Sequence, residues 1–263
     1  MKRLILSTLT AAILGVSAAA SADNLSIGFA DPLSSLDPQL NNHAGDRSVA
    51  LHFWDLLIEN KWNKLQPGLA VSWKPLDSTT WEFKLREGVK WQDGTPFTAD
   101  DLIYSYTRAR AVPGSVATYA GYLRTIDTMT AKDPLTLIVK TKAPNPDLPL
   151  NLASVHVVSK HVGEKSTTED YNSGKAMVGT GPYKFVSYTP GDRVLMERND
   201  GYWGEKATWD KVNYRYINNA AARTAALLAG DVDVIDKVSV SDLAKLQTVS
   251  YTHLRAHETR GNL

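Results

Sequence analysis

The 263-residue chain contains no cysteine. That excludes disulfides, thiolate zinc centres, iron–sulfur clusters, cysteine nucleophiles and a lipid anchor attached through a lipobox cysteine. A surplus of charge is missing too, since 29 Lys and Arg stand against 28 Asp and Glu. No nucleic-acid partner is expected, because phosphate contacts draw on a visible excess of basic residues. With 43% hydrophobic and 22% charged residues, the composition is that of a folded globular chain, neither disordered nor fibrous. After residue 22, no apolar run approaches the roughly 20 residues a membrane span needs.

The common catalytic signatures are also absent. There is no G-x-S-x-G elbow, no H-E-x-x-H helix and no EF-hand loop. Gly179-Thr180-Gly181-Pro182 lacks the GK[ST] of a phosphate-cradling loop, and Pro182 removes an amide donor. It reads as a turn leading into a strand at Tyr183. His156 and His161 lie five apart, so they do not share a helix face as i and i+4 would, and no metal or cofactor is expected. Asp100 and Asp101 are the sharpest candidates for a carboxylate pair of a secreted hydrolase. Thr98 followed by Asp101 is, however, a capping box, which gives those acids a structural task at a helix start.

The two ends differ from the rest. Residues 1–22 carry Lys2 and Arg3, an apolar run from Leu4 to Val16, and Ala20-Ser21-Ala22, the three parts of a secretory leader cleaved near Ala22. Residues 249–263 show neither helical nor strand periodicity and read as a non-native tail. Their two histidines, His253 and His257, with Glu258 as the only carboxylate of the segment, are read as making no metal site.

Between the ends the hydrophobic pattern alternates between periods. Asn24–Ala30 reads as a strand with Leu25, Ile27 and Phe29 on one face. Val49, Phe53, Leu56 and Leu57 then share a helical face, with Asp46 as the expected cap. Leu69–Trp73 and Trp81–Leu85 suggest a hairpin with Trp81, Phe83 and Leu85 inward and Glu82, Lys84 and Arg86 toward water. Asp93-Gly94 marks a tight turn before a helix through Tyr106. Two more hairpins follow, Ile126–Thr130 with Leu135–Thr141, and Tyr183–Tyr188 with Val194–Glu197. A strand at Val212–Ile217, an Ala-rich helix at Ala220–Ala229 ended by Gly230, and a short strand at Val232–Ile235 complete an α/β pattern with more than one sheet. Seven Trp and eleven Tyr are ample for lining a ligand cleft, though most serve as core.

One long run, Leu65 to Ala109, resembles the signature block of the family 5 extracellular solute-binding proteins, the peptide, dipeptide and nickel binders of ABC importers. Three further blocks agree in order: SLDPQ at Ser35–Gln39, GTGPYKF with GDRVLMERNDGYWG at Gly179–Gly204, and AARTAALLAGDVDVID at Ala221–Asp236. The resemblance implies a bilobal periplasmic-binding-protein fold of the type II, Venus-flytrap kind, present here as roughly its N-terminal half. It implies a larger lobe from residues 23–60 and 171–248, incomplete, and a smaller inserted lobe from 61–170. The implied function is that of a periplasmic, monomeric, non-enzymatic receptor that passes a peptide or similar small solute to ABC permease membrane subunits. The alternative is a fragment of such a receptor that does not function alone. By the same resemblance, the loop Asn41-Asn42-His43-Ala44-Gly45 offers main-chain hydrogen bonds to an extended ligand, and Tyr119 points into the cleft. Asn42, His43, Ala44 and Tyr119 are therefore the expected ligand-binding residues. The acid that pairs with a peptide amine, and most specificity pockets, belong in relatives to the half not represented here.

Overall fold

The first strand, β1 (Asn24–Phe29), lies inside a sheet. In this computed structural model, which describes residues 24–247, the remaining elements follow as α1 (Ala44–Phe53), β2 (Ile58–Lys61), β3 (Lys64–Pro67), β4 (Ala70–Pro75), β5 (Thr80–Leu85), α2 (Ala99–Arg108), α3 (Ala120–Leu123), β6 (Ile126–Asp133) and β7 (Thr136–Thr141). Then come α4 (Leu148–Leu152), α5 (Lys160–Gly163), α6 (Thr168–Asn172), β8 (Tyr183–Thr189), β9 (Arg193–Arg198), β10 (Lys211–Tyr216), α7 (Ala220–Ala229), β11 (Val234–Ile235) and α8 (Val240–Gln247). The expected leader and tail, and the histidines of the tail, lie outside the described residues.

The strands form a five-stranded sheet in the order β11-β1-β10-β9-β8, a four-stranded sheet β4-β5-β7-β6 and the hairpin β2-β3. β1 runs parallel to β10 and β11 on either side of it. Parallel neighbours need a crossover, and α7 supplies one between β10 and β11. The β8–β9–β10 meander and the whole four-stranded sheet are antiparallel. The hairpins expected from alternation are thus present, and β11 is shorter than its pattern suggested. The hairpin β2-β3 and the short helices α3 to α6 carry too little periodicity to have been read in advance.

Two expectations need correction. α1 starts at Ala44, with His43 at the cap and no side-chain cap bond. Asp46 sits within the first turn, buried, and its carboxylate accepts from Ser34 N at 2.8 Å and from Ser34 Oγ. The helix also stops at Phe53, because Trp54 is extended (φ −127, ψ 128). Leu56 and Leu57 therefore belong to the segment that leaves the helix. The second correction concerns Glu82, which is buried and not water-facing. As a member of the inner strand β5, it is covered by Lys74 of the neighbouring β4 and by Lys132 of β6, which reaches across β7, each 3.6 Å away. Phe83 and Leu85 face inward as expected, and Trp81 packs half-buried against the same core.

A single apolar core runs through both large sheets, from Leu36, Val49, Phe53, Val194, Met196 and Val212 to Phe83, Leu102, Leu137 and Val139. Two chain segments cross between the sheets side by side, and here the Gly179-Thr180-Gly181 run finds its physical use. Gly181 N donates to Phe53 O at 2.9 Å, Trp54 Nε1 to Val178 O at 3.3 Å and Asp55 N to Thr180 Oγ1 at 3.4 Å. A Cβ at Gly179 would stand 1.8 Å from Phe53 O, so only glycine permits this approach.

Candidate ligand site at the first strand exit

The long loop after β1 must cross polar surface before α1 begins, and its buried polar groups need internal partners. Asp37 is completely buried and receives both arms of Arg108, Nη1 to Oδ1 at 2.9 Å and Nη2 to Oδ2 at 2.6 Å. The Thr168 hydroxyl donates to Asp37 Oδ2 at 2.8 Å and Gln39 N to Oδ1 at 3.1 Å. The Arg108 guanidinium also lies 5.1 Å over the Tyr171 ring. Gln39 Nε2 donates to the carbonyls of Ser105 (3.2 Å) and His156 (2.8 Å), and Asn172 Oδ1 accepts from Ser35 Oγ and Leu36 N, both at 2.8 Å. The SLDPQ block is therefore a buried anchor for the loop, holding it to α2, α6 and the His156 segment.

Beyond this anchor the chain reaches the residues expected to meet a ligand. Asn42 N donates to Ala117 O at 2.9 Å and its side-chain amide to Thr118 O at 3.2 Å. The amide of Asn42 is thus engaged within the chain. His43 and Ala44 are exposed, and His43 lies 3.9 Å from Asp46 Oδ2. They stand at the start of α1, whose first-turn amides have no intrahelical acceptor and favour carbonyl or carboxylate oxygens. The Tyr119 ring, implied by the resemblance to point into a cleft, is instead 0% exposed, and its hydroxyl donates to Asn41 O at 3.3 Å. Burial pushes that phenol well above the usual range. The structure brings Asn42 and Tyr119 to one loop junction and leaves His43 and Ala44 as the exposed pair.

The residue that organises this junction is Asn41. Its Oδ1 accepts from Val116 N (3.1 Å), Ala117 N (3.2 Å) and Ser115 Oγ (3.4 Å). Sequence reading named it only as part of the loop, since nothing local marks one Asn of an Asn-Asn pair as the buried one. An aromatic cleft beside Gly45 was missed entirely. Phe29, Tyr188, Tyr214 and Tyr216 line it with Asp31 and the Asp192–Arg193 ion pair (2.7 Å), around a narrow cavity of about 20 Å³ partly open to solvent. Its rings come from β1, β8 and β10, elements far apart in the chain.

The competing chemistries find no support in the geometry. Asp101 closes the capping box of α2 and is saturated: Lys160 N reaches Oδ1 at 2.9 Å, while Thr98 N at 2.9 Å and Trp91 Nε1 at 3.3 Å reach Oδ2. Asp100 is exposed, 3.9 Å from Lys160. His156 is buried and its imidazole is held neutral, its pKa lowered by burial to about 3. Among the described residues no group of three or more His, Asp or Glu is placed to hold a metal ion. No helix among them is long and apolar enough to cross a membrane.

Residues 64–262 match the family described as bacterial extracellular solute-binding proteins, family 5 Middle. The chain is similar to the periplasmic oligopeptide-binding protein OppA of Salmonella typhimurium, 28% identical with 89% of this chain and 48% of OppA covered. Among solved structures it resembles the Escherichia coli murein tripeptide binding protein MppA (TM-score 0.77, 27% identity, 86% of this chain and 48% of MppA). It also resembles Burkholderia pseudomallei OppA (TM-score 0.77, 25% identity, 87% and 48%). The chain spans about half the length of the curated relatives it matches.

Proposed function

The chain belongs to the bacterial extracellular solute-binding proteins of family 5, and from that premise we propose that it is part of a periplasmic receptor that captures a peptide or similar small solute for an ABC permease. The observation that carries this reading is the agreement of sequence and fold with oligopeptide- and murein-peptide-binding proteins over almost nine-tenths of the chain. The relatives are binding proteins, and the chain is read likewise as a non-enzyme.

In this reading residues 23–60 and 171–248 form the larger lobe around the five-stranded sheet, and 61–170 the smaller inserted lobe around the four-stranded one. The continuous core, the Asp37–Arg108 pair and the glycine-tight crossing support treating the two as one body during ligand capture. Closure then takes place against the portion of the receptor not represented here. His43, Ala44 and the start of α1 offer backbone amides to an extended ligand in the manner of strand addition. Asn42 and Tyr119 hold that edge in position.

The test is a thermal-shift assay on the protein expressed from its complete reading frame, with dipeptides, oligopeptides and a nickel chelate. A ligand bound only by the folded state at about 100 times its Kd adds roughly 2.7 kcal/mol, an easily measured rise in Tm. A cooperative transition that none of these ligands moves would sink the proposal.

A further inference from the structure

β2 and β3 are joined by just two residues, Trp62 and Asn63, at φ 56 and φ 59, and Lys61 faces Lys64 across the closing pair. Two successive left-handed residues make the turn that matches hairpin twist, and Asn-Gly is its favoured sequence. Asn63 suits that geometry, whereas Trp62 does not: a bulky side chain in the left-handed region is strained. Nor is the strain offset by burial, since Trp62 is 94% exposed. Neither turn propensity nor the core accounts for an indole at this position. The hairpin that presents it is firmly seated, with Ile58 fully buried and Leu65 packed on the core, so the ring is carried on a rigid projection.

We propose that Trp62, flanked by Lys61 and Lys64, is a membrane-contact tip that seats the protein on an anionic phospholipid surface. Indole rings collect at the bilayer–water interface, where an apolar body and an N–H donor are both accommodated. Ammonium groups beside the ring meet lipid phosphates, each contributing roughly fivefold in affinity near an anionic surface. Lys61 pairs with Glu59 at 2.5 Å, but both are solvent-accessible, and so exposed a pair exchanges readily for a phosphate. A protein partner fits less well. A specific protein interface buries on the order of 1,000 Å² around an apolar centre, whereas the neighbours of this ring, Lys61, Asn63 and Lys64, are polar and exposed. A bilayer needs no such surrounding and accepts a single ring.

Co-sedimentation with vesicles of phosphatidylglycerol and phosphatidylethanolamine, against vesicles of phosphatidylcholine alone, tests the tip. The protein is expected to sediment with the anionic vesicles and to be released by salt. Trp62→Asn removes the ring while suiting the left-handed turn better, so it should bind several-fold more weakly with an unchanged or raised Tm. Lys61→Ser combined with Lys64→Ser should abolish the preference for anionic lipid. Failure of the unaltered protein to sediment with anionic vesicles, or equal sedimentation of Trp62→Asn, overturns the proposal. So does binding confined to vesicles carrying the permease and lost in Trp62→Asn, which would assign the tip to a protein partner.

Discussion

Replacing Asp37 by Asn should destabilise the protein more than almost any other isosteric change. The Asp37 side chain is 0% and the Arg108 side chain 12% exposed, so the guanidinium left behind cannot recover its hydration. The amide matches the carboxylate in size, yet its NH₂ would point a donor at Arg108 Nη2 and the Thr168 hydroxyl, both of which now donate to Oδ2. Breaking a buried pair from one side costs about 3–5 kcal/mol. For a domain of this size about 2–4 °C of Tm accompanies each kcal/mol, so a fall of roughly 6–20 °C is expected. Because the pair is shielded from solvent, added salt should not reproduce the loss. Urea melts of Asp37→Leu, Arg108→Met and the two combined complete the test. The double apolar variant should recover much of the single losses, since no uncompensated charge remains. A loss below about 1 kcal/mol for Asp37→Asn, or strictly additive losses in the double variant, would refute the assignment of this pair as the loop anchor.

Other consequences are equally direct. Gly179→Ala forces a Cβ against Phe53 O and should cost at least about 1–3 kcal/mol; an unchanged urea midpoint would show that the crossing segments can part freely. Tyr119→Phe removes the donor to Asn41 O and should cost about 0.5–1.5 kcal/mol. Asn41→Ala should cost more, because Val116 N and Ala117 N lose their acceptor, and faster amide exchange at those two residues is the readout that distinguishes it. His156 is buried near the Arg47 charge and its pKa is lowered from 6.5 to about 3. Between those values the unfolded state binds the extra proton, so stability rises with pH across that window and is lost as the pH falls from 6.5 toward 3. His156→Leu should flatten that slope in urea titrations, and an unaltered slope would place its origin in other groups.

Much of the fold was legible because local physics wrote it. Alternation revealed β1, β4, β5, β7, β8, β9 and β10, and the Thr98/Asp101 box fell where α2 begins. α7 runs over the residues read for it and ends at Gly230 with φ 77. The hairpin β2-β3 escaped notice because its turn carries Trp where a turn signal would carry Asn or Gly. Glu82 was misplaced because strand alternation tells which residues share a face but not whether lysines from other strands of the sheet will cover them.

The candidate site divides along the same line. Sequence by itself determined the family and the order of elements, and it pointed to the Asn41–Gly45 loop, since those properties reside in contiguous blocks whose spacing survives without knowledge of what they touch. Only the tertiary structure decided which side chains that loop exposes and which it spends on holding itself in place. Asn41 and Tyr119 are turned inward by a segment some 75 residues away, Asp37 is matched to Arg108 across 71 residues, and the aromatic cleft is assembled from three strands of one sheet. Such pairings follow from burial and hydrogen-bond satisfaction between distant elements, and no local pattern records them.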